Sequence, residues 1–369
     1  MQSRDSIRVL VVDDSALMRK LIPQLIEHDR SIHVVGTAMD GDFALRKIEE
    51  LKPDVITLDL AMPRMNGMDT LKQIMRDCPT PVVVVSAHST DGARATFKAL
   101  HMGAFDFVAK PVDVLSSGMN EIGDELIAKI RAAVNSPVLH RPFPSGREVS
   151  IAKRPKSAVR TPASAVVAIG VSTGGPNSLE YMLSQLPAEF SGALVVVQHM
   201  PPGFTGAFAK RLNECCRLDV KEAQSGDLLS AGQVLLCPGD RHVRVRRMPI
   251  GDVAVLSDDA KVNGHRPSVD VLFRSVAAEF AQGAVGVLMT GMGEDGAEGL
   301  GAMKAAGAMT IAQDEASSVV FGMPRAAIER GYAQRVLPLE SIANTLLAHC
   351  GEIRPQGKEP LSVRNTGQM

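Results

Sequence analysis

Three residues far apart in the chain have the types that acyl transfer requires. Ser172 lies in Ile169-Gly170-Val171-Ser172-Thr173-Gly174-Gly175-Pro176, directly after the apolar run Ala165 to Ile169, which reads as a buried strand. Gly174, Gly175 and Pro176 break that strand, and Asn177 to Leu186 reads as a helix that Pro176 is placed to start. A serine on so sharp a turn has an exposed hydroxyl above the sheet, with backbone N–H groups nearby for an oxyanion. Gly170 to Gly174 fits G-x-S-x-G. The same glycines would equally suit a phosphate-binding turn, although no Lys follows as in a P-loop. His199 follows the strand-like run Ala193 to Val197, and Asp295 sits in Gly293-Glu294-Asp295-Gly296 after the run Ala284 to Met289. A nucleophilic serine needs a base within reach, and that imidazole needs a carboxylate to fix its tautomer. On spacing alone His265 and Asp270 compete for the same two roles. The order Ser, His, Asp also departs from the Ser, Asp, His of α/β-hydrolases.

A second set of polar residues stands earlier in the chain. Asp13 and Asp14 end the apolar run Ile7 to Val12, Asp59 ends Val55 to Leu58, Ser86 ends Pro81 to Val85, and Lys110 follows Phe105 to Val108. Each acid alone reads as a loop or cap residue, but five polar residues at successive strand ends form a rim. Carboxylates sharing a rim repel one another unless a cation joins them, and oxygen-only donors suit Mg²⁺. The hydroxyl and the ammonium suit a phosphoryl group.

Positioning these residues requires strands that alternate with helices. Residues 1–134 hold five strand–helix units, and the residues from Ser164 to about 350 hold a second such series with a more β-rich middle. Both halves read as α/β, two doubly wound parallel-sheet domains, the first flavodoxin-like and the second Rossmann-like, whose functional groups stand at the carboxyl ends of strands. Between them, residues 135–163 hold five prolines and six Lys or Arg against one Glu. This stretch reads as an extended, solvated linker, and residues 351–369 as a polar, disordered tail. The 369 residues suffice for about two domains. A formal net charge of -1 and 4% aromatic residues, with no Trp, speak against a nucleic-acid role. The five cysteines show no C-x-x-C spacing and read as reduced thiols. No apolar run reaches the roughly 18 residues of a membrane span.

Two resemblances are carried by longer motifs. With Asp-Leu-Ala-Met-Pro-Arg-Met-Asn-Gly (59–67) and Ala-Lys-Pro (109–111), residues 5 to about 130 resemble a response-regulator receiver domain. The resemblance implies Asp59 as phospho-acceptor, and Asp13, Asp14, Asp59 and the carbonyl of Ala61 as Mg²⁺ ligands. It implies Ser86 and Lys110 as phosphoryl contacts, Phe105 as the switch aromatic, and a cis Lys110–Pro111 bond. I-G-V-S-T-G-G-P, V-V-Q-H-M-P-P-G-F-T, H-R-P-S-V-D and L-M-T-G-M-G-E-D-G-A resemble the catalytic domain of chemotaxis receptor methylesterases of the CheB type. By that resemblance Ser172 is the nucleophile, His199 the base and Asp295 the orienting acid, with Thr173 and the N–H of Met292 lining the oxyanion site. The implied activity is hydrolysis of glutamate γ-methyl esters on cytoplasmic helices of methyl-accepting chemoreceptors, and deamidation of certain receptor glutamines, without a cofactor for the esterase step. The implied regulation is inhibition by the receiver until a histidine kinase supplies the phosphoryl group. A cytoplasmic monomer that neither inserts in membranes nor binds nucleic acid is expected. A DNA-binding output domain and a non-catalytic ligand-binding domain are the alternatives.

Overall fold

The structure is a computed structural model that describes residues 6–110, 118–136 and 161–352. Its first sheet holds β1 (Ile7–Val12), β2 (Ile32–Ala38), β3 (Val55–Leu58), β4 (Val82–Ser86) and β5 (Asp106–Ala109), in the order β2-β1-β3-β4-β5. Every pairing in it is parallel. The strands are Val/Ile/Leu runs with β1, β3, β4 and β5 buried almost throughout, as a sheet covered on both faces requires. The covering helices are α1 (Ala16–Ile26), α2 (Gly41–Leu51), α3 (Gly67–Asp77), α4 (Thr90–His101) and α5 (Gly118–Asn135). Ser15, Asp40, Asn66 and Ser89 cap the first four by accepting a backbone N–H, so helix starts fall where short polar residues follow the strands.

The second sheet is larger. It holds β6 (Val166–Val171), β7 (Ala193–Gln198), β8 (Asp219–Glu222), β9 (Gln233–Leu236), β12 (Ala284–Leu288), β13 (Met309–Gln313) and β14 (Arg335–Leu337), with β10 (His242–Met248) and β11 (Gly251–Ser257) forming a separate antiparallel hairpin. The order is β14-β13-β12-β6-β7-β9-β8, again all parallel. Its helices are α6 (Gly175–Ser184), α7 (Phe204–Cys215), α8 (Val269–Phe280), α9 (Ala297–Ala305), α10 (Met323–Glu329) and α11 (Leu339–Glu352). Two doubly wound α/β domains are therefore present, as expected. The short edge strands β8 and β14 escape a pattern reading because neither is a continuous apolar run: Asp219-Val220-Lys221-Glu222 and Arg335-Val336-Leu337.

At the expected linker, Asn135 ends α5, whereas Thr161 and Pro162 belong to the second domain's framework. Ala231 donates its N–H to the Thr161 carbonyl at 3.0 Å, and Pro162 bridges Ser230. At the other end α11 runs two residues past 350. The bond between Lys110 and Pro111, the body of the linker (137–160) and the tail from residue 353 lie outside the described residues.

The two domains share one apolar core. Phe97 stacks on Phe208 with centroids 5.0 Å apart, and Phe107 stacks on Phe204 at 4.9 Å. The first member of each pair lies in the first domain and the second on α7. A single buried cluster runs from Leu10 and Phe107 to Val171, Phe204 and Leu212.

Candidate active site and phospho-acceptor site

In the second domain β6 lies between β12 and β7, so successive crossovers leave in opposite directions there and open a crevice at the strand ends. Ser172 follows β6, His199 follows β7, and Asp295 stands in the loop after β12. The turn at Ser172 is fixed from several sides. The Ser172 N–H donates to the Thr290 carbonyl at 3.0 Å, and the Gln198 amide donates to the Ser172 carbonyl at 2.9 Å. Thr290 Oγ1 donates to the Thr173 carbonyl at 3.0 Å. Gly174 adopts φ +72°, a left-handed conformation, and a Cβ there would come within 2.4 Å of Val319 Cβ. Gly291 admits the serine side chain: a Cβ at that position would lie 2.7 Å from Ser172 Cβ.

His199 Nδ1 is 3.2 Å from Ser172 Oγ, and His199 Nε2 is 2.8 Å from Asp295 Oδ2. With its proton on Nε2, the neutral imidazole donates to Asp295 and presents the Nδ1 lone pair to the hydroxyl. Asp295 is 1% exposed. Burial acts to raise its pKa, but the bond and charge of His199, with donation from Ser268 Oγ and Asn263, outweigh it and hold the carboxyl far below the usual range. The Ser268 hydroxyl reaches Oδ1 at 2.7 Å, Asn263 Nδ2 reaches it at 2.9 Å, and the Val269 N–H reaches Oδ2 at 2.7 Å. With the Asp270 N–H at 3.4 Å from Oδ1, five donors hold this buried carboxylate, which stays charged and fixes the ring beside it.

The rival pair occupies supporting positions. His265 stacks on His199 with centroids 3.9 Å apart and planes 10° from parallel. Its pKa is pushed down to about 4, first by burial and then by the charge on His199, so at neutral pH it is an uncharged plate against the base. Asp270 accepts from the Gly299 N–H at 2.6 Å and from Asn263 at 2.9 Å, one residue removed from the imidazole. Burial raises its pKa. Gln198, Ser268 and Thr290 lie inside the quoted motifs and Asn263 two residues before one of them, yet their supporting bonds depend on tertiary partners that spacing does not reveal. Gln313, whose Oε1 accepts the Thr290 N–H at 2.8 Å, carries no local signal at all.

In the first domain β1 lies between β2 and β3, and the crevice there gathers Asp13, Asp14 and Asp59. One carboxylate oxygen from each lies within 4.8 Å of those of the other two. Lys110 Nζ is 2.7 Å from Asp59 Oδ2 and 2.8 Å from Asp13 Oδ2. The approach to Asp13 lacks hydrogen-bond geometry, which leaves that buried oxygen with an unspent lone pair. Burial raises the Asp13 pKa, and the two acids raise that of Lys110 against its own burial. Three converging carboxylates with spare lone pairs fit a hard divalent cation such as Mg²⁺. Ala61 lies beside them, its N–H donating to Asp59 Oδ1 at 3.1 Å. Ser86 is buried at the end of β4 and donates to the Gly92 carbonyl at 3.2 Å, toward α4. Phe105 is buried among apolar residues that include Val319 of the second domain.

The two domains are joined by polar contacts that the sequence did not suggest. Asp106, on β5, accepts the Gly174 N–H at 3.1 Å, two residues from Ser172. Asn177 on α6 donates to the Leu100 carbonyl at 2.9 Å, and Lys261 pairs with Glu121 of α5 at 3.0 Å.

Fold and site together have the form of a serine hydrolase, with the turn that carries Ser172 packed against a domain that gathers three carboxylates at its strand ends. The family models agree: residues 9–116 match the response regulator receiver domain and residues 167–346 match the CheB methylesterase. The protein-glutamate methylesterase/protein-glutamine glutaminase 2 of Koribacter versatilis is 59% identical over 349 residues, covering 92% of this chain and 95% of that one. A protein-glutamate methylesterase/protein-glutamine glutaminase of Pyrococcus abyssi is 45% identical, covering 95% of each. The crystal structure of the Thermotoga maritima CheB methylesterase catalytic domain is 41% identical, covers 50% of this chain and 97% of that chain, and has a TM-score of 0.49. The chain belongs to the family of protein-glutamate methylesterases/protein-glutamine glutaminases with an N-terminal receiver domain.

Proposed function

We propose that the chain removes γ-methyl groups from glutamates of methyl-accepting chemoreceptors, releasing methanol, and deamidates particular receptor glutamines. The observation that carries the reading is the relay Ser172 Oγ–His199–Asp295, with 3.2 and 2.8 Å between successive atoms. Ser172 Oγ attacks the ester carbonyl while His199 Nδ1 takes its proton, and the imidazolium is stabilised by Asp295. His199 returns that proton to methoxide, which leaves as methanol. Water, deprotonated by the same nitrogen, then cleaves the acyl-enzyme and restores the serine. A glutamine follows the same path with ammonia as leaving group. The Met292 N–H and Thr173 are assigned to the oxyanion by the family resemblance; Thr173 follows Ser172, and its carbonyl accepts from Thr290 Oγ1 in the loop that carries Met292. The steps as written use these protein groups and water.

Asp59 is assigned as the phospho-acceptor, fed by a histidine kinase, with Mg²⁺ held by Asp13, Asp14, Asp59 and the Ala61 carbonyl. The cation would neutralise the carboxylates and the incoming phosphoryl oxygens. Lys110 is already at the acceptor oxygen, Ser86 needs only to exchange its bond to Gly92, and Phe105 is the aromatic that would repack. The receiver is assigned as an inhibitor, since its Asp106 and Leu100 hold the segment after Ser172. The receiver unit is taken as residues 1–134, the linker as 135–163, the catalytic unit as 164–350 and the tail as 351–369. None of the described helices is long and apolar enough to cross a membrane, and a cytoplasmic monomer is the working assignment. Methanol release from methylated receptor membranes tests the reading. Release that rises with phosphodonor is expected, and none under either condition would overturn it.

A further inference from the structure

A groove of about 420 Å³ leads away from the active site between α8 and β10. Arg244, Val245 and Arg246 form one wall, Arg274 and Ser275 the other, and Val262 closes the head. That head adjoins the catalytic cluster. Val262 and His265 exchange backbone hydrogen bonds at 3.0 and 2.9 Å, and the His265 ring lies on His199. Its lining positions on α8 run from Asp270 to Glu279, about two and a half turns of helix at 1.5 Å per residue.

Three arginines line this groove against two acids. Arg246 is exposed and forms no ion pair with a described residue. Arg274 is 61% exposed and meets only the buried Asp270, at 4.0 Å. Arg244 is held by Asp259 at 2.8 Å. Of the two acids, Asp270 accepts from Gly299 and Asn263, and Glu279 accepts the Arg247 N–H at 3.3 Å; these donors are neutral, so both acids keep their charge. Beside the head, Lys261 already receives an acidic helix: Glu121 of the receiver's α5 pairs with it at 3.0 Å.

We propose that this arginine groove is the docking surface for an acidic stretch of the substrate helix, one to two turns from the residue being hydrolysed. The inference rests on the reading of the site as a receptor methylesterase. Hydrolysis of either a methyl ester or an amide leaves a carboxylate, so a segment gains a negative charge at each turnover. A groove presenting Arg246 and Arg274 beside the catalytic cluster binds such a segment more tightly once neighbouring positions have been hydrolysed. Lys261, freed when the receiver moves, would extend the same basic track to the mouth of the site.

The test uses full-length protein activated by a phosphodonor. Receptor membranes and a small soluble glutamate γ-methyl ester are assayed for wild type, Arg246→Glu, Arg246→Glu with Arg274→Gln, and Arg335→Glu on the distant strand β14 as a charge control. The double variant is expected to raise KM for receptor about tenfold, with kcat and small-ester turnover within about twofold of wild type. The single variant should fall between, and the control should match wild type. Raising salt from about 50 to about 200 mM should weaken wild type more than the double variant. An unchanged receptor KM in both groove variants, or an equal fall on the small ester, would overturn the docking assignment. A wild-type protein inactive on receptor would overturn the underlying methylesterase reading instead.

Discussion

Replacing Asp106 by Asn tests whether the receiver restrains the esterase through the nucleophile turn. Asp106 is buried, and its Oδ2 accepts the Gly174 N–H at 3.1 Å. Its Oδ1 lies 3.3 Å from Lys129 Nζ, which keeps a second partner in Glu125 at 2.7 Å. Asparagine preserves the shape and one acceptor oxygen but removes the charge. A hydrogen bond to a charged group contributes about 1.5–3 kcal/mol and a neutral one about 0.5–1.5 kcal/mol, so the packed state loses about 1 kcal/mol. That shifts the balance of packed and separated states about fivefold toward the separated one. Methanol release from receptor membranes by unphosphorylated protein should rise by about that factor. Phosphodonor should then add correspondingly less, and a small ester should change little because it passes a partial block. A melting curve with both domains intact guards against simple unfolding. Wild-type basal activity on receptor in a folded Asp106→Asn protein would refute the restraint at this contact.

Phosphate incorporation should need Mg²⁺, should disappear in Asp59→Asn and should require more Mg²⁺ in Asp14→Ala; label persisting in Asp59→Asn would move the acceptor elsewhere. Ser172→Ala and His199→Ala should each lower ester hydrolysis steeply, by about 10²-fold or more, and the double variant should be no worse than the worse single one. Near-wild-type turnover in His199→Ala would promote His265. Stability should rise with pH between about 4 and 6.5, because the unfolded chain protonates His265 below its usual pKa while the folded chain keeps it neutral to about 4. The slope from this group is at most about 1.4 kcal/mol per pH unit, and His265→Phe should flatten the acid limb of an unfolding titration. A limb unchanged by that substitution would remove His265 as its source.

Much of this architecture is legible in the sequence because parallel strands buried on both faces write themselves as short apolar runs, and their carboxyl ends deliver Asp13, Asp59, Ser172 and His199 to two rims. The choice among His199, His265, Asp270 and Asp295 is a different kind of question. His199 and Asp295 follow β7 and β12 whereas His265 and Asp270 stand just before and at the start of α8, and the neighbouring positions of β6, β7 and β12 in the sheet bring the first pair to Ser172 and leave the second behind it. The edge strands β8 and β14 are hidden because edge positions face water and tolerate charge. Asp106 is hidden for another reason. A carboxylate in an otherwise apolar strand reads as an interruption, and its partner lies 68 residues away across a domain boundary.

Ser172, activated by His199, is proposed as the nucleophile of ester hydrolysis. Intact-mass analysis after treatment with a serine-directed fluorophosphonate tests it most directly. One adduct per chain is predicted, mapping to the peptide that contains Ser172 and forming in step with the loss of methanol release. It should be absent from Ser172→Ala and retained in Asp59→Asn. Inactivation without an adduct at Ser172, or full hydrolysis by protein carrying that adduct, would contradict the account.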